Sequence, residues 1–234
     1  MALPRVNVPQ YDLELPSTKE KITYRPFLVK EEKILLLALE EGDDESIARA
    51  LKQIVHNCTY EKMEIDKLPL FDLEYVFLRV RAKSVGEVAE LKLLCEDDGE
   101  TYADVSIPLE DIEVKFTEGH TPEIKMDDNI MVKMRYPTYE MLGQDPGDMT
   151  VDKTFELVGK CIDKVFDGET VHERADFNDK DLSEFLDSLN SKQFKDIQTF
   201  FETMPKLSYE VKFKNPKTKK NNKVTLEGLQ SFFV

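Results

Sequence analysis

Helical periodicity in two stretches, two-residue alternation between them, and a closing pair of alternating segments predict an α+β fold for this 234-residue chain. The expected order is an N-terminal helical unit, a central antiparallel β section, a second helical unit and a C-terminal β-hairpin. In spans, 1–18 is an extended arm, 19–84 the first helical unit and 85–136 the β section. Residues 137–204 form the second helical unit, and 205–234 a ribbon-like hairpin with a terminal turn. A 41% hydrophobic content with only nine Gly and eleven Pro excludes a disordered or low-complexity chain. Apolar runs such as 34–39 hold a handful of residues, whereas a membrane-spanning helix needs roughly 20. The N-terminal Met-Ala-Leu-Pro-Arg lacks the apolar region of a signal peptide. With a net charge of -15, the expectation is a soluble, acidic, intracellular protein of one or two domains.

Each element has its own signal. Pro4, Pro9 and Pro16 punctuate the arm, which is either a frayed terminus or a segment laid on a partner. Residues 21–25 alternate as a short strand, and Pro26 suits a first helical turn. The helix over 27–41 carries Ile34, Leu35, Leu36, Leu37 and Leu39, apolar enough to be buried on more than one side. Gly42 stops it. Asp43 and Asp44 cap a helix over 44–58, whose Ile47, Leu51, Ile54, Val55 and Cys58 form one stripe. A third helix, 70–83, turns Leu73, Val76, Phe77 and Val80 inward and Arg79 and Arg81 to another face. Val88, Leu91, Leu93 and Leu94 mark a strand, Gly99 supplies positive φ in the turn, and 102–107 returns. Further strands fall at 111–116, 123–126 and 130–135. Pro137 and 143–147 mark a loop. A helix over 151–166 shows Phe155, Val158, Ile162 and Val165 on one stripe. A loop with His172 and Arg174 leads to helix 181–189, boxed by Asp181 and Glu184. Helix 191–204 spaces Phe194, Ile197, Phe201 and Met204 helically. Segments 207–213 and 222–226 make the final hairpin.

The pattern of reactive residues is sparse. There is no phosphate loop, no G-x-G-x-x-G and no G-x-S-x-G. Cys58, Cys95 and Cys161 are odd in number and widely spaced, which fits a reducing compartment. Cys58 lies on an apolar stripe, so it and His56 make a packed thiol rather than a nucleophile. His120 and His172 stand alone. Both hairpins have the outline of a zinc ribbon, but only Cys95 occupies a knuckle position, and a tetrahedral site needs four donors; no metal is expected. Residues 163–174 fail as a calcium loop because Val165 and Arg174 stand where oxygen ligands belong. Asp127-Asp128-Asn129 and 96–100 read as turns. Lys206, Lys212, Lys214, Lys217, Lys219, Lys220 and Lys223 against Glu210 make a basic tip on an acidic body that phosphates would repel. The expectation is therefore a non-enzymatic protein acting through protein–protein contacts, with no cofactor, small molecule, membrane or nucleic acid. Its rivals are a nucleic-acid-associated factor using the basic hairpin and a hydrolase with an unrecognised acidic site. Phe232 and Phe233, large apolar groups at a chain end, call for cover by this chain's own helices or by a neighbour.

Three blocks carry a resemblance. They are Tyr24-Arg25-Pro26-Phe27-Leu28-Val29-Lys30-Glu31-Glu32-Lys33-Ile34-Leu35, Phe71-Asp72-Leu73-Glu74-Tyr75-Val76-Phe77-Leu78-Arg79-Val80-Arg81-Ala82-Lys83-Ser84-Val85-Gly86-Glu87, and Leu226-Glu227-Gly228-Leu229-Gln230-Ser231-Phe232-Phe233. Together they resemble the baseplate hub protein family of T-even-like contractile-tailed bacteriophages. The resemblance implies a baseplate hub protein or a hub assembly chaperone, found in the bacterial host cytoplasm during assembly or, as a permanent part, in the virion tail baseplate. It implies other baseplate hub proteins as partners and brings no catalytic residues. Arg25, Lys30, Arg79 and Arg81 become candidates for binding acidic partner surfaces, Phe27 and Phe77 for anchoring helices, and Leu229, Phe232 and Phe233 for a terminal contact. An ordinary core with a salt-bridged face is the alternative for the same residues.

Overall fold

The computed structural model describes residues 6–142 and 150–232. The fold is α+β, with α-helices and several small antiparallel sheets. The chain divides into two units: unit 1 takes Met1–Lys115 and Lys206–Val234, and unit 2 takes Phe116–Pro205. The division falls inside the span 85–136, and the C-terminal hairpin belongs with the first helices.

Unit 1 opens with an antiparallel hairpin of β1 (Tyr11–Glu14) and β2 (Lys21–Tyr24), Tyr11 opposite Tyr24. The second half of the expected arm is thus paired within its own chain, and Leu15 is buried. The Ser17 N–H donates to Asp72 at 3.1 Å, tying the turn to the third helix. Helix α1 (Val29–Glu41) starts after Pro26, because Leu28 stays extended as its cap. Gly42 ends it in the left-handed region at φ 74, donating to the Ala38 carbonyl. Asp43 then caps α2 (Asp44–Cys58) by accepting from the Ser46 N–H at 2.8 Å. In α3 (Leu70–Ala82) Leu73, Val76, Phe77 and Val80 are buried together with Leu51, Ile54, Val55 and Cys58 of α2. The hairpin β3 (Val88–Leu94) and β4 (Tyr102–Pro108) follows, then β5 (Glu113–Lys115).

Unit 2 is built on a four-stranded sheet in the order β6-β7-β8-β9. The elements run β6 (Glu123–Lys125), β7 (Ile130–Met134), α4 (Tyr139–Leu142), α5 (Val151–Lys160), β8 (Ile162–Asp167), β9 (Thr170–Glu173), α6 (Asp179–Ser188) and α7 (Ser191–Thr203). The expected helix over 151–166 stops at Lys160. Ile162 and Val165 lie in β8, where Val165 pairs with Val132 of β7. Their three-residue spacing fits a helical stripe, but β-branched residues beside a waiting strand favour the sheet, and tertiary pairing decides. His172 lies in β9 rather than in a loop, and Arg174 in a single 3₁₀ turn. Helix α6 starts two residues earlier than its pattern suggested. Asn178, not Asp181 with Glu184, forms the box: it accepts from Lys180 and Asp181, and Asp181 returns a bond to the Asn178 N–H at 2.8 Å. The core joins Val132, Met134, Val158, Cys161, Ile162, Leu182, Leu186, Ile197 and Phe200. The loop expected at 143–147 lies outside the described residues.

Back in unit 1, β10 (Lys206–Lys214) pairs with both β5 and β11 (Asn221–Glu227). A 3₁₀ turn at Leu229–Phe232 follows, as one at Leu109–Asp111 follows β4. The two ribbon-like hairpins are tied at their turns by hydrogen bonds. Asn215 donates to Asp97 and Asp98 at 2.9 and 3.0 Å, Asn222 to Asp97 at 2.9 Å, and the Thr218 hydroxyl to Asp97 at 2.5 Å. Among the described residues no three His, Cys, Asp or Glu side chains are grouped to share a metal ion.

Candidate interaction surface

Helix α1 was expected to be covered on more than one side, and it is not. Only Glu31 and Ala38 of α1 are buried; Ile34 and Leu35 are half-buried. At 100° per residue these four share the face turned to α2. Val29 and Leu36 stand on the opposite face, 79% and 60% exposed, with Leu39 and Leu37 flanking them at 53% and 49%. The helix packed against α1 is α2, on one side, which leaves the other side open. Glu32, Lys33 and Glu40 are exposed on this same face, between and beside the aliphatic residues, and Glu41 is exposed at its edge. An exposed aliphatic group interspersed with charge is a candidate interaction surface.

The root of α1 is tied down by hydrogen bonds. The Arg25 backbone N–H donates to the Cys58 carbonyl at 3.0 Å. Its guanidinium donates to both Glu31 oxygens, at 3.0 and 3.4 Å, and to the Pro26 carbonyl at 2.9 Å. Glu31 in turn accepts from the Leu28 N–H at 2.9 Å, fixing the first turn of α1. Burial alone would push Glu31 up, but the bonds from Arg25 and Leu28 outweigh it and hold the carboxyl below the usual glutamate range. Burial pushes the neighbouring Cys58 thiol up to about 12, which favours its protonated form.

The residues singled out in the sequence do not gather into one surface. Arg25 and Phe27 are buried, the Phe27 N–H donating to the Ser84 hydroxyl at 2.9 Å. Arg79 lies over the Tyr75 ring and donates to the Leu109 and Ile112 carbonyls at 3.0 and 2.8 Å, clamping the 3₁₀ turn to α3. Arg81 is half-buried. Phe77, Leu229 and Phe232 are buried. Lys30 is exposed and reaches Glu31 at 3.2 Å. Phe233 lies outside the described residues. Asp127 accepts from the N–H groups of Asn129 and Ile130, a turn-forming role. His120 sits between Thr203 and Tyr136, at 2.9 and 3.0 Å, with its ring against Phe200. The exposed leucines of α1, absent from the candidate residues, are the surface the structure brings forward.

Glu74 of α3 faces the Leu229 N–H of the C-terminal turn, which favours its charged form, but burial outweighs this and pushes its carboxyl up to about 7. A native pKa above the unfolded value means that stability is full below about 4.5 and falls as pH rises through about 7. Glu74→Gln keeps an acceptor for Leu229 and removes the buried charge. Its thermal midpoint should match the wild type near pH 4.5 and exceed it at pH 8, by the equivalent of up to about 3 kcal/mol. A difference that does not change with pH would contradict this.

A family model described as T4 bacteriophage base plate protein matches residues 8–234. No curated protein and no solved structure matches the chain.

Proposed function

The chain belongs to the T4 bacteriophage base plate protein family, and on that premise we propose that it serves the central hub of the tail baseplate, joining or guiding hub subunits through protein–protein contacts and catalysing nothing. A structural role in the baseplate follows from the family; the hub assignment rests on the three sequence blocks. The observation that carries the contact mechanism is the uncovered aliphatic face of α1. Burial of such a face on a neighbouring subunit supplies affinity, while the surrounding charges set orientation. The net charge of -15 keeps a free pool of the protein dispersed in the host cytoplasm until assembly. Part of the basic hairpin's charge is met within the chain: Lys206 pairs with Glu227 at 2.6 Å, and Lys212 and Lys223 both pair with Glu210.

Co-expression with each of the other baseplate subunits of the same phage, followed by affinity purification, tests the proposal. A stable complex with a hub subunit is the expected result; complexes with none of them would overturn the hub assignment. Mass spectrometry of finished particles then separates the two roles. A permanent component is found in them, and an assembly chaperone is not.

A further inference from the structure

Unit 2 holds ten Lys and Arg against twenty Asp and Glu, so it carries -10 of the chain's net -15. Part of that charge edges a groove of about 430 Å³ between α5 and α6. Phe155, Leu182 and Leu186 form its apolar floor. Gly159 lies where the two helices meet: a Cβ on it would touch Leu182 at 3.5 Å and Leu186 at 3.7 Å, ordinary contact distances. The Phe155 ring is stacked on Phe194, centroids 4.7 Å apart, so this wall is set before any ligand arrives. Val151, in the first turn of α5, is exposed at the mouth.

The rim is acidic. Glu156 is engaged by Lys160 at 2.5 Å and Asp179 by Arg174 at 3.5 Å. Asp152 and Asp187 are exposed and have no ion-pair partner among the described residues. An apolar trough with carboxylates on both banks matches the helix-in-groove mode of recognition, in which anchors at i, i+3, i+4 and i+7 enter the floor. We propose that this groove binds an amphipathic helix of another protein, its apolar stripe against Phe155, Leu182 and Leu186 and its flanking Lys or Arg against Asp152 and Asp187. A second copy of the chain is the poorer occupant, since it would bring one -10 unit against another. The negative field of unit 2 would instead draw a basic helix in and set its register.

The probe is a synthetic helical peptide with leucines at i, i+3, i+4 and i+7 and flanking lysines, compared with the same peptide flanked by glutamates. Binding to the full chain is followed by methyl NMR. The expected result is a shift of the Leu182 and Leu186 methyls with the lysine peptide alone, with affinity falling as salt is raised. Asp152→Asn with Asp187→Lys should weaken binding about tenfold while leaving the rest of the spectrum in place. Unmoved Leu182 and Leu186 methyls, equal shifts from the glutamate peptide, or groove shifts on diluting the chain alone would each overturn the proposal. The peptide result is independent of the hub assignment, which stands or falls on the co-expression experiment.

Discussion

Replacing Arg25 with methionine should lower the unfolding free energy by roughly 3–5 kcal/mol, read as a drop in the urea midpoint. The size follows from what is left behind. Glu31 is fully buried, and without the guanidinium its carboxylate keeps only the Leu28 N–H, the exposed Lys30 and a distant Asn57 amide at 3.5 Å. The combination Arg25→Met with Glu31→Gln should recover most of the loss, since glutamine still accepts from Leu28 and carries no charge. A double variant as unstable as Arg25→Met alone would show that packing of the arginine stem, not charge, is the cause. The pH dependence has a definite sign. Glu31 is held below its ordinary value near 4.5, so the pair stabilises fully above that pH. Its contribution fades as pH falls through the lowered native value. Acid should therefore narrow the gap between the wild type and Arg25→Met.

Leu36→Asp together with Leu39→Asp should weaken binding to a hub subunit by roughly a hundredfold while moving the thermal midpoint little. Both side chains are more than half exposed, so little buried surface is lost within the chain. The helix itself loses only about 1 kcal/mol in propensity. Unchanged binding would remove α1 from the contact surface. A collapse in stability would show that the exposed face is covered within the chain.

The sequence made some elements legible because one physical cause acted alone. In α2 a single apolar stripe, an aspartate cap and a preceding glycine agree, and the helix stands at Asp44–Cys58. Helix α1 was visible as a helix, but its burial was not, since leucines on every side say only that cover is needed and not what provides it. Residues 162–166 satisfy a helical stripe and a strand equally well, and β7, more than twenty-five residues away in sequence, settles the matter. The internal use of Arg25 has a local signal in the sequence: an acid at the third position of α1, able to cap Leu28 and to face an arginine just before the helix. Another local signal is a repeated turn. Pro16-Ser17-Thr18-Lys19 and Pro216-Lys217-Thr218-Lys219 close β-hairpins in the same way, each with its lysine at positive φ, 62 and 63.

On the proposed function, the exposed face of α1 is met by another baseplate protein. A photoreactive benzoylphenylalanine placed at position 36, irradiated in infected cells while tails assemble, tests it most directly. The expected result is a covalent adduct joining this chain to one other baseplate subunit, lost when the photoreactive residue is moved to a site on unit 1 remote from α1. Irradiation that yields only uncoupled chain, or adducts spread without preference over unrelated host proteins, would contradict it.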